Sequence, residues 1–318
     1  MLSTFLISNL ERHLFMHDMN KWSTDVSSFA SKDTVISPYV LVADNAKIGK
    51  GCYIGPHSVI ERNVKISDNV TVGAGVHFCP GVRVSDAVTI GSSVSFTALA
   101  TDKLNEGRDT IIEIGAVIGD GAIIHGGISV GQYAQVAPGA LLTRSVPPNS
   151  IVEGNPARIV GYVNASSTTR SVVESKISGD DLYKSDVNGV CLYSFPLIKD
   201  MRGSLTVGEF ERSIPFPVKR YFMVFDVPSV ETRGEHAHYR CHQFLICVKG
   251  SISVVADDGR NREEFILNRP ELGLYLPPMT WGIQYKYSSD AVLLVFASEH
   301  YDAKDYIRDY DDFLELTR

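Results

Sequence analysis

The chain lacks a cysteine framework, an excess of positive charge and any long apolar run. Its five cysteines, Cys52, Cys79, Cys191, Cys241 and Cys247, are odd in number and fall at no framework spacing, so reduced thiols are expected. Lys and Arg number 30 against 37 Asp and Glu, a net charge of −7 over 318 residues. With no basic stripe in the sequence, nucleic-acid binding is disfavoured. No apolar run reaches membrane length, and Ala291–Ala297 reads as a buried strand. Leu2–Leu6 is followed by Glu11, Arg12 and His13, without a basic n-region or a small-residue cleavage site. No secretory signal is therefore expected, and the cytoplasm is the expected compartment. The length suits two domains, each with ample core.

What the chain does have is a beat of six. Ile36, Val42, Ile48, Ile54, Ile60, Ile66, Val72, Phe78, Val84, Ile90 and Phe96 are all large and apolar. Two positions before them stand small or β-branched residues such as Ala46, Cys52, Ser58, Val64 and Val70. After a break at Thr97–Thr110 the beat resumes at Ile112, Ile118, Ile124, Val130, Val136 and Leu142. No helix or ordinary strand has this period. A triangular parallel β-helix does, one hexapeptide per flat side with its key residue stacked inward. The polar break is expected to loop out of one coil, where binding residues commonly lie. A helix is expected around Asn9–Asn20 in the lead-in.

Pro147 and Pro148 stop the repeat, and Asn164–Asp186, rich in Ser, Thr and charge, reads as a linker. From Val187 short runs rich in Val, Ile, Phe and Tyr alternate with turns, among them Asp257-Asp258-Gly259-Arg260, a hairpin signal. This pattern predicts an antiparallel sandwich or barrel. Tyr306, Tyr310 and Phe313 predict a helix over the tail Asp302–Arg318. The fold expected is mainly β: a left-handed parallel β-helix over 1–163, a linker over 164–186 and an antiparallel barrel over 187–318.

Ile118–Gly161, ending in the run GNPARIVG, resembles the closing coils of the hexapeptide-repeat sugar-nucleotide N-acetyltransferases. The resemblance implies acetyl-CoA as cosubstrate, a trimer of β-helices, and CoA in the cleft between neighbours. On this reading Ala134, Gly139 and Ala140 let the pantetheine arm approach, and Arg144 and Arg158 are candidates for the CoA phosphates. Acetyl transfer to an amine needs a free-base amine and oxyanion stabilisation. His125 and His77 are candidate bases or substrate contacts, and the amine can also lose its proton unaided. Where that family often reads Phe-Thr-Asn, this chain reads Phe96-Thr97-Ala98, so substrate contacts there must differ.

The sharpest local motif is Arg233–Gly250. His236, His238, Gln243 and Gly250 have the spacing of the first cupin motif, with Gln in place of the usual Glu. In a strand, His236 and His238 share a face. Two imidazoles without a carboxylate or a third His make a poor metal set, so proton transfer at a metal-free site is expected. Residues 188–316 resemble the metal-free cupin 3,4-ketoisomerases of dTDP-4-keto-6-deoxyhexoses. The resemblance implies an enediol reaction in which His236 and His238 move protons, Arg220 and Arg233 support the enediolate or bind pyrophosphate, and Gln243 orients an imidazole or the sugar. Phe222 stands where Tyr is usual, leaving Tyr221 to supply that hydroxyl, and Gly282 stands where His is usual.

Together the halves resemble bifunctional ketoisomerase/N-acetyltransferases. This implies dTDP-sugars and CoA as ligands, a dTDP-3-acetamido-3,6-dideoxyhexose product of the fuco series, and a hexamer built from β-helix trimers and cupin dimers. No metal is expected. An inactive cupin serving as a sugar-nucleotide scaffold is one alternative, and a 3,5-epimerase-like or metal-dependent cupin is a second.

Overall fold

The six-residue beat becomes a three-sided coil in the computed structural model, which describes residues 22–23, 33–97, 109–167, 182–228 and 231–318. Short strands stack into three mainly parallel sheets of seven, five and eight strands. Lys47 pairs with Lys65, Leu41 with Val59 and Val35 with Tyr53, always 18 residues on, so three hexapeptides make one coil. Val42, Ile60, Phe78, Phe96, Ile124 and Leu142 form one inward column, each at most 2% exposed. Phe78 and Phe96 stack in it with ring centroids 5.0 Å apart. Burying each such side chain contributes roughly 1.5–3 kcal/mol, which is why the beat admits no polar residue.

The corners need left-handed backbone. Asn63 and Asn69 adopt it at φ 62° and 58°, a conformation Asn tolerates. Asn45 Nδ2 also donates to Asn63 Oδ1 at 2.7 Å, linking consecutive coils. At Gly115, φ is +66° and an added Cβ would lie 2.5 Å from the Tyr133 ring, which would have to shift, so glycine is favoured there.

The break leaves the register intact. Arg83 pairs with Ile111 and Thr89 with Val117, 28 residues apart instead of 18, so ten extra residues leave one coil. The stretch 98–108, which carries most of the expected binding loop, lies outside the described residues, as does the helix expected around Asn9–Asn20. Trp22–Ser23 pairs antiparallel with Val42–Ala43. At the other end Ser150–Gly154 extends one sheet and folds back as an antiparallel hairpin on Ala157–Tyr162, which ends the coil.

The chain divides into two units, 1–163 and 164–318. The second contains β1 (Leu182–Lys184), β2 (Cys191–Ser194), β3 (Arg220–Phe225), β4 (Arg233–His238), β5 (Gln243–Lys249), β6 (Ile252–Asp257), β7 (Arg262–Leu267), β8 (Leu272–Leu276), β9 (Trp281–Tyr285), β10 (Val292–Ala297), β11 (Tyr306–Ile307) and α1 (Tyr310–Thr317). One six-stranded sheet has the order Ser166–Ser167, β7, β6, β9, β4, β11; the other runs β1, β2, β8, β5, β10, β3. Leu245, Val254, Leu274, Leu293 and Val295 belong to one buried apolar cluster contributed by both sheets. The hairpin expected at Asp257–Arg260 joins β6 to β7, with Asp258 N bonded to Asn261 O.

Two expectations change. The stretch read as linker supplies strands to this unit at both ends, Ser166–Ser167 and β1, and its middle, 168–181, lies outside the described residues. The tail is not one helix. It makes a 3-10 turn at Ala303–Asp305, pairs Tyr306–Ile307 with β4, and only then forms α1. Asp309 caps α1, its side chain accepting from the amides of Asp311 and Asp312.

Candidate functional site

β4 carries a bulge at Gly234–His236, between register pairs with Ile283 and Gly282 of β9. Gly234 has φ +82°, and a Cβ there would lie 2.4 Å from the Gly282 carbonyl oxygen. Beyond the bulge His236 and His238 lie edge to face with centroids 5.0 Å apart. Both line a pocket with Gln243, Thr280, Gly282 and Gln284.

The two imidazoles are held differently. His238 is buried; its Nδ1 lies 3.0 Å from Asp305 Oδ2, and Gln243 Nε2 lies 3.1 Å from its Nε2. A carboxylate accepts, so Nδ1 carries the proton and Nε2 takes the amide hydrogen. Both His238 nitrogens are thus engaged. His236 Nδ1 donates to the Gly234 carbonyl at 2.9 Å, which leaves its Nε2 as the basic nitrogen. Burial, then the neighbouring His236, pushes the His238 pKa down to about 4, although Asp305 pulls the other way. Burial also lowers His236, aided by the Arg308 charge and opposed by the Gly234 bond. At neutral pH both rings are uncharged.

Asp305 accepts from the backbone amides of Arg240 at 2.9 Å and Cys241 at 3.2 Å as well. The adjoining Tyr306 ring lies 4.3 Å from His238 and 4.9 Å from His236, with the Arg308 guanidinium 4.4 Å above it. Sequence reading missed Asp305, Tyr306 and Arg308, because it assigned this tail to a helix; the pairing of β11 with β4 brings them in. Their one sequence signal was the acidic and aromatic density of the tail.

Arg220 shares the inward face of β3 with Phe222 and Val224, which pack against the core. Its Nε is buried without a hydrogen-bond partner among the described residues. Tyr221 does not replace the missing hydroxyl: strand alternation turns it to the opposite face, 66% exposed. Arg233, exposed at the start of β4, is in register with Gln284.

On the β-helix, His77 Nε2 bonds Glu61 Oε1 at 2.8 Å on the outer surface. His125 follows the inward Ile124, one coil beyond Thr97, from which the ten-residue excursion departs; Thr97 N bonds the Ile124 carbonyl. His77 and His125 thus lie on the coils either side of that departure. Gly139 is exposed at φ +70° with open space around it. Ala134 and Ala140 are corrected: both are fully buried in the coil interior, and their carbonyls accept from Val117 N and Ile123 N of the preceding coil, so neither side chain lines a cleft for a pantetheine arm. Arg144 and Arg158 are exposed, Arg158 opposite Glu153 in the terminal hairpin.

Two clusters among the described residues bring three potential metal-ligand atoms within 4.8 Å of one another: His238, Cys241 and Asp305, and Glu61, His77 and Cys79. In the first, the His238–Asp305 and His238–Gln243 bonds already occupy the imidazole.

The fold and site define an enzyme of two parts, a hexapeptide-repeat transferase and a cupin isomerase. Residues 188–318 match the family described as FdtA: WxcM-like, C-terminal, and residues 31–62 match the bacterial transferase hexapeptide (six repeats). A TDP-4-oxo-6-deoxy-alpha-D-glucose-3,4-oxoisomerase of Aneurinibacillus thermoaerophilus is 45% identical over 120 residues, 38% of this chain and 86% of that protein. A dTDP-3-amino-3,6-dideoxy-alpha-D-galactopyranose 3-N-acetyltransferase of the same organism is 46% identical over 54 residues, 17% of this chain and 28% of that protein. A solved 3,4-ketoisomerase from Helicobacter canadensis shares 40% identity over 41% of this chain and 97% of its own, with a TM-score of 0.40. The chain belongs, through residues 188–318, to the WxcM-like 3,4-oxoisomerase family, joined to a hexapeptide-repeat transferase domain.

Proposed function

We propose that the chain catalyses the two steps on either side of an amination it does not perform. The barrel isomerises dTDP-4-keto-6-deoxyglucose to the 3-keto sugar; a separate aminotransferase places an amine on C3; the β-helix then acetylates that amine. The observation that carries the first step is the unequal pair of imidazoles. His236 Nε2, uncharged and without a hydrogen-bond partner among the described residues, removes the C3 proton. The enediolate forms, the C3 hydroxyl proton passes to the C4 oxygen, and a proton returns at C4, so the ketone moves and no atom is lost. His238, neutral at this pH, keeps its one N–H on Nδ1 for Asp305 and accepts from Gln243 at Nε2, so both its nitrogens are committed and it holds the neighbouring ring. The buried Arg220 Nε supplies a preorganised donor for the enediolate charge, and Arg233 at the rim is assigned to the pyrophosphate.

In the second step the amine nitrogen attacks the acetyl-CoA thioester, the C–S bond breaks, and CoA leaves as the thiol while the amine loses a proton. Gly139, Arg144 and Arg158 remain the CoA candidates. The proton acceptor is His125, the Glu61-oriented His77, or solvent; acetyl-transfer rates of His125→Ala and His77→Ala at several pH values distinguish these. The name of the acetyltransferase relative supports the galacto series, hence a dTDP-3-acetamido-3,6-dideoxygalactose product.

The test of the isomerase is deuterium wash-in from heavy water at C3 and C4 of dTDP-4-keto-6-deoxyglucose. Wild type incorporates label, and His236→Asn loses about 10²–10⁴-fold in rate with unchanged circular dichroism. No incorporation by the wild type, with acetyl transfer intact, would leave the barrel as a sugar-nucleotide scaffold.

A further inference from the structure

Thr280 is 5% exposed, and its hydroxyl has no hydrogen-bond partner among the described residues. Buried polar groups are nearly always paired, so an orphan inside a pocket calls for an explanation. Thr280 immediately precedes β9. The preceding residue, Met279, donates its amide to the His238 carbonyl at 2.7 Å, which pins the turn to the strand of the imidazole pair. Thr280 then lines the same pocket as His236, His238, Gln243 and Gln284. Thr280, Gly282 and Gln284 alternate along one face, and at Gly282 the Leu276 side chain closes in to 3.3 Å from where a Cβ would stand.

A valine would fill the same volume without a buried unpaired oxygen, and replacing an unsatisfied group by an apolar isostere is neutral or stabilising. The free protein therefore carries this hydroxyl at a cost to its own stability, a pattern typical of sites kept for a ligand. We propose that Thr280 is a substrate-binding residue whose hydroxyl pairs with a sugar oxygen of the keto-hexose, beside the two imidazoles. Threonine can donate or accept, so a sugar hydroxyl or the ketone serves equally. The inference rests on the isomerase reading and deepens it by adding a contact to the hexose, separate from those to the nucleotide.

The experiment compares wild type, Thr280→Val and Thr280→Ser. For Thr280→Val, kcat/KM for isomerisation of dTDP-4-keto-6-deoxyglucose is expected to fall about tenfold, as for one lost hydrogen bond. The thermal midpoint is expected to stay level or rise. Thr280→Ser keeps the hydroxyl and is expected to recover most of the activity. In an inactive His236→Asn background, calorimetric titration is expected to show the keto-sugar nucleotide bound about tenfold more weakly by the valine variant, and dTDP bound equally. Unchanged kcat/KM and unchanged keto-sugar binding in Thr280→Val would overturn the proposal, since the hydroxyl would then hold only water. So would a drop in thermal midpoint that tracks the loss of activity, because the role would then be structural. If the wild type does not isomerise at all, the isomerase reading falls, and the two titrations still decide whether Thr280 touches the sugar.

Discussion

His236 and His238 stand two positions apart, yet their second partners give them different work. A backbone carbonyl holds one nitrogen of His236 and leaves the other open among the described residues, whereas His238 is closed at both by Asp305 and Gln243. The depressed His238 pKa, about 4 against 6.5, has a consequence for stability. As pH falls below about 6.5 the unfolded chain takes up a proton that the folded one refuses until about 4. The barrel should therefore lose up to about 3 kcal/mol of stability across that window from this residue alone, with His236 adding in the same direction. Denaturant titrations of the whole protein from pH 7 to 4 test this. The slope should flatten in His238→Gln, and an equally steep slope in that variant would remove His238 as its source. The sequence made the pair and Gln243 visible, since all three belong to one local motif. It hid Asp305, 67 residues away, because only strand pairing brings a carboxylate from the tail to that ring.

Among elements, the tail is the one whose reading changed most, and it is anchored by a buried polar knot. Asp257, at the end of β6, accepts from Arg262 Nε at 2.8 Å and from the Tyr310 hydroxyl at 2.7 Å, while Arg262 Nη2 donates to that same hydroxyl at 2.8 Å. Tyr310 also packs edge to face on Trp281. Tyr310→Phe keeps the packing and removes one donor from a buried carboxylate, at a cost of about 1–3 kcal/mol. Urea unfolding should show that loss, and isomerase rate should fall with it, since the segment ahead of α1 carries Asp305 and Tyr306 to the site. Full activity in this variant would mean that β11 alone holds the tail. The coil strands, by contrast, were legible residue by residue. Their inward positions follow a fixed period and tolerate only apolar side chains, so Ile54 or Val72 declares its place without help from distant residues.

For the whole molecule, the assembly implied by the resemblance to the bifunctional enzymes joins a three-fold β-helix contact to a two-fold barrel contact, and closed symmetry would then give six chains. Sedimentation equilibrium should return a mass of six chains; a stable trimer or dimer would remove one of the two contacts. The acetyl step is the least legible part, because the positions proposed for it, such as His125, are irregular ones and not part of the beat.

The excursion between Thr97 and Asp109 bears on how such a protein can diverge. The coil resumes in phase after ten added residues, with Phe96 still stacked in register on Ile124. Each doubling of such an insertion costs only about 0.6 kcal/mol of closure entropy. The wall therefore acts as a frame with one open slot, in which length and composition can drift while the frame is copied unchanged.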